Sequence, residues 1–106
     1  MAFTTLISTD VLASRILDPA FAIVDCRFKL DDPSWGEREC STSHIPGAIY
    51  AHLDRDLSSA KTGTNGRHPL PGPRALAGTF SRLGIASGVQ VVAYDQNNGM
   101  FASRLW

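Results

Sequence analysis

The chain has 106 residues and carries ten basic and ten acidic side chains, so its formal net charge is zero. Hydrophobic residues make up 43% of the sequence and charged residues 19%, proportions that exclude an intrinsically disordered polyampholyte. The basic residues are scattered singly along the chain, which argues against a nucleic-acid partner. The length suits one domain with a modest core.

Membrane and export functions are also disfavoured. The longest apolar stretches, such as residues 20–24, are far shorter than the roughly 20 residues of a membrane-spanning helix. The first residues lack the basic segment and apolar core of a signal peptide. Cys26 and Cys40 are therefore expected to be free thiols, and we expect a cytoplasmic protein with no membrane partner.

The first half of the chain predicts a helix, a strand and a connection. Apolar residues recur at helical spacing over residues 8–17, with Ser8 or Thr9 as the N-cap. The continuous apolar run at 21–24 is typical of a strand buried on both faces of a parallel sheet. Residues 29–40 are polar and predict a long connection with at most one turn of helix.

The second half continues the alternation. It predicts, in chain order, a turn and a brief apolar run at residues 43–50, an irregular stretch at 53–73, a helix at 74–83 with Gly84 as a left-handed C-cap, a strand at 89–94 and a further helix from 100. This alternation predicts an open α/β sheet of parallel strands. Ligands bind such sheets at the carboxyl ends of the strands, so the loops after Val24 and Tyr94 are the places to search.

Four blocks of sequence carry a family resemblance. They are the motif His-Ile-Pro-Gly-Ala at 44–48, residues 91–95 with Gly99 and 102–106, residues 54–58, and residues 67–71. In this order they resemble the N-terminal domain of tandem-domain thiosulfate and 3-mercaptopyruvate sulfurtransferases. The resemblance implies a single rhodanese-like domain over residues 1–106, an open parallel sheet with helices on both faces, truncated before its last strand and closing helix.

These enzymes move a sulfane sulfur from thiosulfate or 3-mercaptopyruvate to a thiol or cyanide acceptor through a cysteine persulfide. A loop whose N–H groups converge on the sulfur lowers the pKa of that cysteine and can bind an anion. Asp95 occupies the position of the nucleophile here, and a carboxylate cannot carry a persulfide. The resemblance therefore implies no catalytic residue in this chain, no cofactor, and a second, catalytic rhodanese domain as partner. We expect Asp95 to accept hydrogen bonds from the loop amides.

Three residues are candidates for the substrate cleft. The resemblance implies that His68 faces the cleft and is oriented by Asp56, an arrangement suited to general acid/base chemistry. The alternative, that Asp56 and His68 merely order a long loop, stays open. Arg67 is a candidate for binding anionic substrate oxygens, whereas Arg104 is expected to pair with an internal carboxylate.

The remaining polar residues are assigned structural roles. His44, Pro46 and Gly47 are expected to fix the corner of the 44–48 motif, His44 by hydrogen bonding. Cys26 follows a buried strand beside a carboxylate and is predicted to be inert, while Cys40 is expected in a polar loop as a spare thiol. The histidines and cysteines lack the spacing of metal ligands, so we expect no metal site.

Two functions remain open at this stage. One is a domain of a sulfurtransferase, and the alternative is a rhodanese-fold binding or regulatory module without chemistry. By itself the 106-residue chain is expected to be inactive. Because apolar side chains at 105–106 would be left uncovered, we also expect self-association, partial disorder, or a longer parent chain of which this is a piece.

Overall fold

The computed structural model describes residues 3–106, over which the chain forms four helices and a three-stranded parallel sheet. The elements are α1 (Thr9–Ala13), β1 (Phe21–Asp25), α2 (Trp35–Thr42), β2 (Ile49–Tyr50), α3 (Pro73–Arg82), β3 (Gln90–Tyr94) and α4 (Ala102–Leu105). The strand order is β2-β1-β3, so β1 lies in the centre. The predicted α/β class with parallel strands is confirmed.

The register of the sheet aligns the carboxyl ends of its strands. Asp25, the last residue of β1, lies opposite Tyr50 of β2 and Tyr94 of β3. The loops that follow Asp25 and Tyr94 therefore leave the same edge of the sheet. That edge is where a parallel α/β sheet binds its ligands.

The core is divided between the two faces of the sheet. Val24 packs in one cluster with Leu83 and Phe101, at the end of α3 and just before α4. Its neighbour Ile23 points to the other face, where it packs with Leu12 of α1. Because successive side chains of a strand point to opposite faces, β1 binds helices on both sides of the sheet. The apolar run at 21–24 is thus explained by burial on two faces.

Helix α1 is shorter than the sequence pattern predicts. Ser8 caps it, as expected, by accepting the N–H of Val11 at 3.3 Å. The helix ends at Ala13 rather than at residue 17, because the Ser14 hydroxyl donates to the Val11 carbonyl at 2.6 Å. Such a bond competes with the continuing helix for the backbone carbonyl. Helix α4 likewise begins two residues later than expected, at Ala102.

Helix α2 corrects the prediction of a connection with at most one turn of helix. It has eight residues, and only Gly36 and Cys40 along it are buried. Gly36 lies against the carbonyl of Arg27, where a Cβ would come within 1.8 Å of the oxygen. The helix is therefore held by close backbone contact rather than by an apolar stripe. Among the helices of residues 3–106, none has the length and apolar character required to cross a membrane.

Candidate functional site

The loop after β3 wraps its backbone around the carboxylate of Asp95. Oδ1 accepts the N–H of Asn97 at 2.8 Å and of Gly99 at 2.9 Å. Oδ2 accepts the N–H of Phe101 at 2.7 Å and of Ala102 at 2.8 Å. We call these four N–H groups the amide cradle. The hydrogen bonds expected of Asp95 are present, and the cradle contains its own anion.

Backbone conformation directs the amides inward. Asn98 and Gly99 are consecutive left-handed residues, with φ of 55° and 85°, and asparagine and glycine adopt that conformation at least cost. Burial opposes the ionisation of Asp95, but the four backbone hydrogen bonds prevail and hold its pKa below the ordinary value. Asp95 is therefore a carboxylate at neutral pH.

Both cysteines are buried and free. Burial, reinforced by the charges of Asp25 and Asp95, raises the pKa of Cys26 to about 12. Cys40 corrects the expectation of a thiol in a polar loop, because α2 carries it into the interior near Asp25. Burial, followed by the Asp25 charge, raises the pKa of Cys40 to about 11. Since the thiolate is the reactive form, neither thiol is activated as a nucleophile.

A buried ion pair closes the end of β1. The Asp25 carboxylate is fully buried and receives Arg27 Nη2 at 2.7 Å and Nε at 3.1 Å. Burial opposes its ionisation, but hydrogen bonds from Arg27 hold the pKa of Asp25 below its usual range. Arg27 also donates to the Ser43 carbonyl at 2.7 Å, which ties the strand to the following corner. A buried pair with its hydrogen bonds made has a structural role here.

The corner at 44–48 is built by its own backbone. His44 Nδ1 lies 2.7 Å from the Cys40 carbonyl, to which it donates. Gly47 has φ of 84° after Pro46, and the N–H of Ala48 closes the turn. Proline followed by a left-handed glycine is the sequence of a type II turn. These contacts support the structural role predicted for the motif.

An open cleft of about 500 Å³ lies between the long loop and the start of α4. Its lining is basic and apolar, without a carboxylate, and consists of Leu30, Leu53, Arg67, His68, Met100, Phe101, Ser103 and Arg104. Arg67 and His68, two of the three predicted cleft residues, are brought together here. Asp56, the third, is not part of the lining. A site with guanidinium and imidazole groups favours an anionic ligand.

Asp54, rather than Asp56, lies beside His68. Oδ1 of Asp54 is 3.0 Å from His68 Nδ1, in contact but not aligned for a hydrogen bond. The carboxylate of Asp56 is occupied elsewhere, at 2.9 Å from Arg82 Nη2 and 2.8 Å from the N–H of His52. The prediction that Asp56 orients His68 is therefore wrong. The chain turns after His52, so the Asp56 side chain folds back onto the start of the turn.

Arg104 braces the long loop instead of pairing with a carboxylate, which corrects the sequence expectation. It donates to the Leu57 carbonyl at 3.0 Å and to the His68 carbonyl at 2.7 Å. The N–H of Ser59 donates to the Pro69 carbonyl at 2.8 Å across the same gap. An irregular loop leaves carbonyls without regular partners, and the guanidinium supplies donors for two of them. We call this contact the Arg104 brace.

Metal ligation receives no support from the described residues. Over residues 3–106 no group of three or more histidine, cysteine or acidic side chains is placed to hold a metal ion.

Comparison with known proteins gives consistent similarities. No protein-family model matches the chain. It is 45% identical, over its whole length, to the Probable 3-mercaptopyruvate sulfurtransferase of Pseudomonas aeruginosa, of which it covers 38%. It is 33% identical to Thiosulfate/3-mercaptopyruvate sulfurtransferase 1, mitochondrial, of Arabidopsis thaliana, with 94% of this chain and 26% of the relative aligned. The solved 3-mercaptopyruvate sulfurtransferase from Leishmania major superposes with a TM-score of 0.84 at 30% identity, covering 94% of this chain and 27% of that one.

The parallel sheet and its structural neighbour define the class of protein as a rhodanese-fold domain. Within that class, the chain is a homologue, over nearly its whole length, of part of the 3-mercaptopyruvate and thiosulfate sulfurtransferases. It spans about a third of the length of the curated relatives that it matches, between 26% and 38%.

Proposed function

We propose that this chain is the N-terminal, non-nucleophilic domain of a tandem-domain sulfurtransferase. The parent enzyme moves a sulfane sulfur from thiosulfate or 3-mercaptopyruvate to a thiol or cyanide, through a cysteine persulfide in a second domain. The observation that carries this proposal is the Asp95 carboxylate in the amide cradle, at the position where the family resemblance expects a nucleophile. The limited share of each relative that the chain covers supports a further domain.

Because Cys26 and Cys40 are not activated, our proposal gives the persulfide to a cysteine of that second domain. The Asp95 carboxylate contains no sulfur and therefore cannot form a persulfide. Cys26 and Cys40 are buried, and their raised pKa values keep them protonated. The role of this chain is then to form one wall of the cleft in which the second domain holds its cysteine.

The lining of that wall suits an anionic sulfur donor. The exposed Arg67 offers a guanidinium that matches sulfonate or carboxylate oxygens. We assign to His68 the exchange of a proton with the substrate, with the Asp54 carboxylate 3.0 Å from its Nδ1. In this proposal, the His68 imidazole of this chain transfers the proton, and a cysteine of the other domain carries the sulfur.

The test compares the full-length reading frame with the 106-residue chain. Thiocyanate formation from thiosulfate and cyanide, and pyruvate formation from 3-mercaptopyruvate and a thiol, are measured for both. We expect turnover only in the full-length protein, with the persulfide found by mass spectrometry on a cysteine outside residues 1–106. Turnover by the 106-residue chain would contradict the proposal. A full-length protein that is inactive with every donor would favour the alternative, a binding or regulatory module.

A further inference from the structure

We propose that His52 is a positioning residue of the cleft. Its imidazole, with Nδ1 as the acceptor, holds the turn formed by residues 52–57 so that the Asp54 carboxylate lies against His68. The effect on turnover rests on the proposed function. The tautomer of the imidazole follows from its hydrogen-bond geometry and does not depend on the proposed function.

Hydrogen bonds fix the tautomer of His52. Nδ1 accepts the N–H of Asp54 at 3.1 Å and of Arg55 at 3.3 Å. Two backbone donors facing one ring nitrogen require that this nitrogen carry a lone pair. The ring proton therefore lies on Nε2, which donates to the Pro33 carbonyl at 2.9 Å. One imidazole thus links the turn to the segment before α2.

The backbone of His52 completes the turn. Its carbonyl accepts the N–H of Asp56 at 2.8 Å and of Leu57 at 3.2 Å. Edge-on contacts with Phe28, at 5.3 Å between ring centroids, and with Tyr50, at 6.1 Å, hold the ring in place. Rotation of the imidazole would break these contacts together with three hydrogen bonds.

The position of Asp54 depends on this turn. Its side chain is 40% exposed, and the 3.0 Å contact with His68 is set by where the backbone places it. On the other side, the Arg104 brace holds the His68 carbonyl. His68 is therefore positioned from two directions, through its main chain by Arg104 and beside its imidazole by the turn that His52 organises.

Two substitutions separate the acceptor from the donor of His52. In His52→Asn, the side-chain oxygen reaches near the Nδ1 position and can accept the N–H groups two and three residues ahead, as in an Asx turn. In His52→Gln, the longer amide can donate to the Pro33 carbonyl but removes the acceptor from the turn. The two variants have similar polarity and differ in the contact that the proposal requires.

The variants are compared in the full-length protein. We expect His52→Gln to lower kcat about ten-fold with little change in KM, because displacement of a positioned group acts on the reaction step. His52→Asn should restore kcat to within about two-fold of the unchanged protein, since the acceptor is kept. Amide hydrogen exchange at Asp54 and Arg55 should be accelerated only in the glutamine variant.

Nitrogen-15 NMR of the unchanged protein tests the tautomer directly. A proton on Nε2 of His52 is expected, and a proton on Nδ1 would overturn the proposal. Equal kcat and equal amide exchange in the Gln and Asn variants would also overturn it. If the full-length protein has no sulfurtransferase activity, the proposed function fails, while the tautomer and amide exchange still decide the role of His52.

Discussion

Asp54 and Asp56 stand two residues apart, yet their carboxylates have different partners. Asp54 contacts His68, which lines the cleft, whereas Asp56 pairs with Arg82. In the full-length protein we expect Asp54→Asn to lower kcat about ten-fold or more, because it removes the charge beside the imidazole that we propose to transfer a proton.

Asp56→Asn is the matched control for that substitution. It keeps an acceptor for the N–H of His52, so kcat should be unchanged, and stability should fall by about 1 kcal/mol through loss of the half-exposed pair with Arg82. Steady-state kinetics and urea unfolding measure the two effects. The opposite result, with activity lost at residue 56 and kept at residue 54, would restore the assignment made from the sequence.

A substitution at Asp95 tests whether the amide cradle needs its internal carboxylate. Asn at this position would turn an NH2 group toward two N–H donors, so two of the four hydrogen bonds would be replaced by donor-donor repulsion. We expect Asp95→Asn to lower the free energy of unfolding by about 2 kcal/mol. Urea unfolding is the measurement, with Asp31→Asn at an exposed site as the control. Equal stability of the two variants would show that the cradle does not depend on its internal carboxylate.

The contacts of some of these residues could be predicted from the sequence and those of others could not, for a physical reason. The loop bonds of Asp95 follow from its place directly after β3, where backbone amides converge. The choice between Asp54 and Asp56 depends on a turn whose acceptor is a ring nitrogen, which spacing does not reveal. The partners of Arg104 are backbone carbonyls, and a carbonyl leaves no mark in the amino-acid pattern.

For helices and strands, the pattern of burial determines whether the sequence periodicity predicts the element. β1 is buried on both faces and produces an apolar run, so its existence could be predicted from the sequence. α2 buries only Gly36 and Cys40, and its remaining residues are polar or lie at the surface of the domain. A helix held by close backbone approach has no apolar stripe to recognise.

Gly36 provides the test of that close approach. Gly36→Ala would place Cβ against the Arg27 carbonyl, and overpacking of this kind typically costs about 1 to 3 kcal/mol. Gly78→Ala in α3 is the control, because nothing lies within 4 Å of its Cβ position and alanine should add about 1 kcal/mol there. Thermal or urea unfolding should therefore shift in opposite directions. A Gly36→Ala protein as stable as the unchanged chain would contradict the docking of α2.

For the whole molecule, the two carboxylates with lowered pKa values that lie away from the surface, Asp25 and Asp95, predict how the free energy of unfolding falls at acid pH. Asp25 and Asp95 bind protons less readily in the folded chain than at their ordinary value of 3.8. Their contribution is therefore present above about pH 4 and is lost as the pH falls further, because the unfolded chain takes up protons first. Urea unfolding between about pH 2 and 7 measures this loss.

The Asp95→Asn variant shows how much Asp95 contributes to the loss of stability at acid pH. Removal of one lowered carboxyl should make the free energy of unfolding less dependent on pH in the acid range, with Asp25, Asp32 and Glu37 contributing the rest. An unchanged slope in Asp95→Asn would mean that its hydrogen bonds do not favour the ionised form.

Because the Arg104 brace fixes the two ends of a loop, the length of that loop can change without moving its ends. The carbonyls of Leu57 and His68 are held by one guanidinium, so the residues between them form a nearly closed backbone ring. Lengthening such a ring costs little conformational entropy, about 0.6 kcal/mol for each doubling. Insertions or deletions between these two anchors can reshape the outer rim of the cleft while the imidazole stays in place. Natural variation in loop length is thus permitted there without a compensating change in the sheet.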